Sequence, residues 1–90
     1  MPQEITINET GTTTNLGQTC NVILFNDDNH SMDEVIFQVM KATGCSSSHA
    51  TAVMMEAHTA GRAIAFTGHR ERCEHVASVL GDIGLGTSIE

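Results

Sequence analysis

Apolar and polar positions divide the chain into a polar first segment and a longer, regularly patterned remainder. Residues 1–17 are rich in Thr, Asn, Gly and Glu, with too few bulky apolar side chains to bury an ordered segment. We therefore predict a flexible N-terminal extension over 1–17 and a core domain over 18–90. The pattern within the core predicts strands and helices in the order β-α-α-β-α-β.

The first half of the core has the clearest pattern. Residues 19–25 are predicted to form a strand with apolar side chains on both faces, as in the central strand of a sheet. Ser31 and Glu34 have the spacing of a capping box, so a helix should begin at Met32. Gly44 should end this helix, because glycine adopts the left-handed conformation common after a last turn. Its apolar stripe is predicted to comprise Met32, Val35, Ile36, Val39 and Met40.

The second half is predicted from weaker signals. Ser46 or Ser47 should cap a second helix that ends at Gly61, with a stripe of Ala50, Val53, Met54 and Ala57. Residues 62–66 alternate weakly and predict a strand. Thr67 is predicted to cap a third helix that faces inward with Cys73, Val76, Ala77, Leu80 and Ile83. Residues 85–90 should form a closing strand, and the pattern leaves parallel and antiparallel pairing both open.

Composition narrows the class of protein. The 90 residues suffice for one domain, and the absence of Trp and Tyr predicts an aliphatic, Met-rich core with a few Phe. Four Lys plus Arg against eleven Asp plus Glu give a net charge of −7, which argues against nucleic-acid binding. No apolar run is long enough for a membrane span and no signal peptide is evident, so a cytoplasmic protein without membrane association is expected. Three widely spaced cysteines, at 20, 45 and 73, predict reduced thiols rather than disulfides or a zinc site.

The loop over 26–29, N-D-D-N, concentrates oxygen acceptors between the first strand and the first helix. Such residues usually satisfy their own backbone in turns. Adjacent Asp27 and Asp28 also repel each other, and a cation relieves that repulsion. The spacing does not match a calcium loop, whereas an ammonium group needs only three acceptors. His58 is expected to lie beside Asp27, where a neutral imidazole would add another acceptor.

Two methionines suggest what could accompany an ammonium group. Met32 and Met54 are most simply core residues, but their positions would place thioethers in a small pit below the acceptor loop. Such a pit would suit an amino acid with a free amino group and a bulky apolar side chain. No histidine pair has metal-ligand spacing, and no nucleophile or paired-carboxylate cleft is indicated, so neither a cofactor nor an enzymatic activity is predicted.

Two motifs carry a resemblance to a known family: N-D-D-x-x-x-M over 26–32 and A-H-x-x-G-R-A-I over 57–64. Each is weak alone, but together, in this order and spacing, they resemble the ClpS family, without gaps over 22–64 and more loosely to residue 90. ClpS adaptors recognise destabilising N-terminal residues (N-degrons) and deliver their bearers to a Clp unfoldase–protease. The resemblance implies an α+β fold with a three-stranded antiparallel sheet and three helices, similar to the C-terminal domain of the ribosomal stalk protein. It also implies an AAA+ unfoldase partner of the ClpA or ClpC type, engaged through the extension over 1–17.

The resemblance assigns roles to residues of this chain. Asn26, Asp27 and His58 would bind the substrate's α-ammonium group, with Asp28 supporting the rim. Met32 would exclude β-branched side chains. The remaining residues of the hydrophobic pocket would be His30, Val35, Met54, Ala57 and Leu85.

This sequence departs from the usual family pattern in three ways, one of which is a third helix that is expected to be shorter by about a turn. His30-Ser31 replaces the usual Thr-Pro, and Ala57 replaces a bulkier apolar residue. Two other readings stay open at this point. One is a non-catalytic interaction module of the same fold that does not recognise a free amine, and the other is a small metal- or redox-responsive protein.

Overall fold

The computed structural model describes residues 18–90, so the prediction of a flexible extension over 1–17 falls outside the described residues. The elements follow the order β1 (Thr19–Phe25), α1 (Met32–Thr43), α2 (Ser47–Ala60), β2 (Arg62–His69), α3 (Arg70–Gly81) and β3 (Thr87–Ile89). The three strands form one antiparallel sheet in the order β2-β1-β3. The structure thereby decides for antiparallel pairing, and the predicted central position of the first strand is confirmed.

The main core fills the space between the helices and one face of the sheet. Val22 and Leu24 of β1 face the helices with Ala63 and Ala65 of β2, and all four are buried. Val39 on α1, Met54 on α2 and the α3 residues Val76 and Leu80 meet them there. Ile23 points to the opposite face, where its pairing with Ile64 and Ser88 also leaves it buried.

Helix boundaries in the first half follow the predicted capping. Ser31 caps α1 in a complete capping box with Glu34, and Gly44 follows the helix in the left-handed conformation with φ 77°. Ser46, one of the two predicted candidates, caps α2 by accepting from the backbone N–H of His49. Gly61 ends α2 with φ 91°. These two glycines adopt a conformation that costs other residues about 1 kcal/mol or more.

The prediction that Thr67 caps the third helix is wrong. Thr67 lies in β2, where its hydroxyl donates a 2.7 Å hydrogen bond to the side-chain oxygen of Asn21. The strand continues to His69, which precedes α3 without a side-chain cap. β2 is longer than predicted because Thr67, Gly68 and His69 pair with the first residues of β1 after a bulge. The closing strand is shorter than predicted, with three residues.

Fewer Phe and Met side chains are buried in the core than expected. Phe37 is 69% exposed on α1, Phe25 and Phe66 are only partly buried, and Met32 and Met55 are exposed. Small aliphatic side chains form most of the core instead. The three cysteines are not joined in disulfides among residues 18–90, with Cys73 buried and the other two partly buried.

Candidate functional site

A cavity opens where the loop after β1 meets the first turn of α1 and the last turns of α2. It encloses about 310 Å³, including the space at its open mouth. Four aliphatic side chains with little exposure form its floor: Leu24, Val35, Met54 and Ala57. The other lining residues are Phe25, Asn26, Asp27, His30, Met32 and His58. An apolar floor beneath a polar rim suits a ligand with one apolar end and one charged end.

Backbone hydrogen bonds bring the loop and the end of α2 together. The N–H of Asn26 donates to the carbonyl oxygen of Gly61 at 3.0 Å. The N–H of Gly61 in turn donates to the carbonyl oxygen of Ala57 at 2.9 Å. The loop that carries Asp27 is thereby joined to the helical turn that carries His58, although 31 positions separate these residues along the chain.

The capping box of α1 sets the opposite side of the rim. The N–H of Ser31 donates to Glu34 Oε1 at 2.8 Å, and the N–H of Glu34 donates to Ser31 Oγ at 3.2 Å. The bond from the Ser31 backbone holds the pKa of Glu34 below its ordinary value. Met32, the first residue of α1, is 48% exposed at the cavity mouth. Its side chain therefore lies at the rim, whereas that of Met54 belongs to the floor.

Asp27 is the carboxylate most firmly held in the loop. Its Oδ1 accepts hydrogen bonds from the N–H groups of Asn29 at 2.7 Å and His30 at 2.8 Å, and from Nδ1 of the His30 ring at 3.0 Å. The contact with the His30 ring, more than the backbone bonds, holds the pKa of Asp27 below its ordinary value. Among residues 18–90 no hydrogen bond reaches Oδ2. Asp27 therefore presents an ionised carboxylate with one oxygen available.

Asn26 and Asp28 form the outer part of the same loop. The side-chain amide of Asn26 donates to Asp28 Oδ1 at 3.3 Å, which leaves the Asn26 side-chain oxygen as an acceptor. Asp28 is exposed and does not line the cavity. Its contact with Asn26 places it beside the rim.

Leu85 is the predicted pocket residue that the structure places elsewhere. Its N–H donates to the carbonyl oxygen of Leu80 at 3.3 Å, and its side chain is buried in the main core. The turn after α3, with Gly84 at φ 85°, directs Leu85 toward α3. Apart from Leu85 and Asp28, the predicted site residues all line the cavity.

Leu24 and Phe25 line the cavity but were not predicted to do so. The alternation along β1 contained a usable signal for Leu24, because it placed Leu24 on the helix-facing side two residues before Asn26. Behind Phe25 lies the Arg62 guanidinium, 5.6 Å from the ring centroid and 2.6 Å from Glu90 Oε1. Arg62 itself does not line the cavity.

Two further observations concern residues 18–90 alone. No group of three or more His, Cys, Asp or Glu side chains is arranged there to hold a metal ion. No helix in this part of the chain has the length and apolarity needed to cross a membrane.

Comparison with known proteins connects this site to a family. The model of the family described as "ATP-dependent Clp protease adaptor protein ClpS" matches residues 16–83. The ClpS adapter of Synechococcus elongatus is 34% identical over 83 residues, which cover 91% of this chain and 87% of that protein. The ClpS adapter of Mycobacterium marinum is 34% identical over 68 residues, which cover 76% of this chain and 67% of that protein.

A solved structure shows the same fold at lower sequence identity. Agrobacterium tumefaciens ClpS2, bound to L-phenylalaninamide, superposes with a TM-score of 0.74 at 27% identity. The superposition covers 80% of this chain and 94% of that one. The element order and the antiparallel sheet agree with that relationship, and the family match includes the whole cavity lining. The chain therefore belongs to the ClpS family and is an adaptor of the ATP-dependent Clp protease.

Proposed function

We propose that this chain binds the free N-terminal residue of substrate proteins, with a bulky hydrophobic side chain in the cavity, and delivers these proteins to the Clp unfoldase. The observation that carries the proposal is the position of the Asp27 carboxylate at the rim above an apolar floor. A protein whose first residue is Phe, Leu, Trp or Tyr offers an α-ammonium group for the carboxylate and an apolar side chain for the floor, at a fixed separation. The L-phenylalaninamide bound to the Agrobacterium relative combines a free amino group with a benzyl side chain, which supports this ligand class.

Recognition of the amino group follows from charge and hydrogen bonding. An α-amino group has a pKa of about 8, so it is mostly protonated at neutral pH and offers three N–H donors. Asp27 Oδ2 and the side-chain oxygen of Asn26 supply acceptors, and a neutral His58 imidazole supplies a third. Hydrogen bonds between an ammonium and a carboxylate are among the stronger ones in proteins. An acetylated or internal residue lacks the charge and would leave these acceptors unpaired, which disfavours its binding.

The apolar floor of the cavity explains how the side chain of the substrate's first residue would be recognised. Leu24, Val35 and Ala57 contribute only hydrocarbon to it, and burying an apolar side chain against such a surface contributes about 1.5–3 kcal/mol. Met32 at the mouth would crowd a substrate that branches at Cβ, so it is proposed to exclude Ile and Val. Asp28, beside the rim, is proposed to support the contact with the second residue of the substrate.

Binding and delivery require no covalent step. The proposed role therefore assigns no catalytic activity to the chain and needs no cofactor. The unfoldase partner is proposed to be of the ClpA or ClpC type. Three free thiols support action in a reducing compartment, for which the cytoplasm is proposed.

A competing proposal is an interaction module of the same fold in which the acidic loop only stabilises a turn. The bonds from Asn29 and His30 to Asp27 Oδ1 are of the kind that such a loop would make. They leave the apolar cavity beneath the loop unexplained, which favours recognition of an N-terminal residue.

Matched charge variants test the proposal. Asp27→Asn removes the carboxylate at the cavity, whereas Asp33→Asn makes the same change in charge at an exposed position in the first turn of α1. We expect Asp27→Asn to weaken binding of a peptide that begins with Phe by tenfold or more, about 1.4 kcal/mol, and Asp33→Asn to leave it nearly unchanged. In a reconstituted Clp protease, Asp27→Asn should also slow degradation of a protein with N-terminal Phe. Equal effects of the two variants would indicate that only overall acidity matters and would contradict the proposal.

A further inference from the structure

The His30 ring contacts the carboxylate proposed to bind the substrate's amino group. Its Nδ1 lies 3.0 Å from Asp27 Oδ1, and the backbone N–H of His30 donates to the same oxygen at 2.8 Å. The His30 side chain is 20% exposed and the Asp27 side chain is 10% exposed, so the pair is largely shielded from solvent. Nothing in the amine-binding role outlined above requires an imidazole at this position.

The geometry of the pair allows two protonation states. An ionised carboxylate only accepts hydrogen bonds, so Nδ1 of His30 must carry a hydrogen in either state. A neutral ring with its hydrogen on Nδ1 keeps the contact, and so does an imidazolium with hydrogens on both nitrogens. The pair therefore carries a net charge of −1 or of zero without losing its hydrogen bond.

The groups around His30 favour the charged ring. The hydrogen bond to Asp27 raises the pKa of His30 above its ordinary value, and the carboxylate of Glu34 on α1 adds to this effect. The backbone of Ile83, in the turn after α3, acts in the same direction. On the remaining side, α2 brings His58 to the same cavity. In the free protein, charges from the loop and from α1 thus favour the imidazolium at position 30 more than it is favoured in an isolated histidine.

An incoming ammonium group changes this balance. It binds the same carboxylate, so Asp27 would then face two cations. Like charges that share one site disfavour each other's charged forms. The proton on Nε2 of His30 can leave to solvent while the contact between Nδ1 and Asp27 persists, although the ring then loses its favourable interaction with the backbone of Ile83.

We propose that His30 is a positioning residue, whose Nδ1–H holds Oδ1 of Asp27 and leaves Oδ2 for the substrate's ammonium group, and whose imidazolium proton is released to solvent as that group binds. The inference rests on the proposed function, because it concerns how the same site receives the amine. It implies that affinity rises with pH while His30 titrates, by at most tenfold per pH unit for one released proton.

Calorimetry at pH 6.5 tests proton release directly. A peptide that begins with Phe is titrated into the protein in two buffers with different ionisation enthalpies, and the difference in heat gives the number of protons released. The peptide's own amino group is already protonated at this pH, so it adds no proton of its own. His30→Asn keeps a donor near the position of Nδ1 but does not titrate. His75→Asn, on the exposed face of α3, is the matched control.

The wild type and His75→Asn should release the same fraction of a proton, and His30→Asn should release less while it still binds at pH 8. His30→Ala, which removes the donor as well, should bind more weakly at pH 8 than His30→Asn. Equal proton release by the wild type and His30→Asn would overturn the coupling to His30. Equal affinities of the Asn and Ala variants would overturn the positioning role.

Ring NMR signals of the wild type provide a second readout that depends on no variant. On saturation with the Phe peptide at pH 6.5, the His30 signals should move toward those of the neutral ring. The His49 signals should stay in place, because nine residues of helix, roughly 13 Å, separate His49 from His58. His30 signals that do not move on saturation would overturn this inference alone. A complete absence of peptide binding by the folded protein would instead overturn the proposed function, and this inference with it.

Discussion

The backbone N–H of Asn26 donates a 3.0 Å hydrogen bond to the carbonyl oxygen of Gly61, and this bond joins the acidic loop to the end of α2. It connects the two motifs that characterise the sequence, one that leads into α1 and one that spans the end of α2. Gly61 holds its carbonyl in place through a left-handed conformation with φ 91°. The relative position of Asp27 and His58 therefore depends on the backbone at Gly61.

Gly61→Ala should weaken both the fold and the site. A Cβ at this position meets no atom within 4 Å, so the cost comes from the backbone conformation, about 1–2 kcal/mol in the free energy of unfolding. Relief of that strain would shift the carbonyl bonded to Asn26, so affinity for a peptide that begins with Phe should also fall. Urea unfolding and fluorescence anisotropy measure the two effects.

Gly44→Ala is the matched control for Gly61→Ala. Gly44 also has a positive φ and free space around a Cβ, but it follows α1 at the end distant from the cavity. It should lose a similar amount of stability and keep its affinity for the peptide. Loss of affinity in both variants to the same extent would show that Gly61 has no special effect on the site.

Met32→Ala should change which N-terminal residues bind. Removing the side chain at the mouth leaves room for branching at Cβ, so peptides that begin with Ile or Val should gain affinity relative to Phe. Met55→Ala removes a methionine of similar exposure, 42%, that does not line the cavity, and it should not alter the ranking. Anisotropy with labelled peptides gives the ratios, and an unchanged Ile-to-Phe ratio in Met32→Ala would remove the proposed exclusion role.

Ala57→Val should make the cavity smaller. Ala57 is 3% exposed in the floor, so the two added methyl groups would take space from the ligand. The variant should therefore lose more affinity for peptides that begin with Trp than for peptides that begin with Leu. Overpacking costs about 1–3 kcal/mol of stability, and the buried Ala50→Val variant on the same helix controls for it. Preserved affinity for Trp peptides in a folded Ala57→Val protein would show that the side chain does not enter beside Ala57.

The His30–Asp27 pair should make stability depend on pH. The contact lowers the pKa of Asp27 from 3.8 and raises that of His30 from 6.5. Its contribution is therefore fully present between these values. It is lost in acid as pH falls through the folded pKa of Asp27, and lost again above 6.5 as pH rises through the folded pKa of His30.

Urea unfolding of the wild type and His30→Asn measures this contribution. The stability difference between them should be larger at pH 6 than at pH 9, because the ring loses its positive charge as pH rises through its folded pKa. His75→Asn, at an exposed position on α3, should show no such trend. A difference that stays constant from pH 6 to pH 9 would mean that the ion pair does not contribute in the folded state.

Local signals explain which parts of the fold were predictable. Three of the signals act over only a few residues, so their effects can be predicted from sequence. They are the capping box of Ser31 and Glu34, the glycines after α1 and α2, and the two-sided apolar pattern of β1. The end of β2 depends instead on a bulge and on pairing with the distant residues Thr19 to Asn21. Threonine is a favoured residue type at helix N-caps, but the pairing of β2 with β1 keeps Thr67 in the strand.

The site also contains residues that local sequence predicts and residues whose positions depend on distant parts of the chain. Its acidic loop and its rim methionine were visible in the sequence because they adjoin a helix start. The position of Leu85 was not, because it depends on where α3 ends and on how the following turn directs the chain. The hydrogen bond between His30 and Asp27 spans only three residues, yet its importance becomes apparent only when the cavity beside it is known.

We infer that this adaptor recognises a free N-terminal amino group together with the apolar side chain of the same residue. The most direct measurement is fluorescence anisotropy of one labelled peptide that begins with Phe, with its amino group free or acetylated, against the same protein. We expect the free peptide to bind and acetylation to weaken binding by at least a hundredfold, about 2.7 kcal/mol, since acetylation removes the charge and leaves acceptors unpaired. Equal affinity for both forms, or no binding of either by the folded protein, would contradict it.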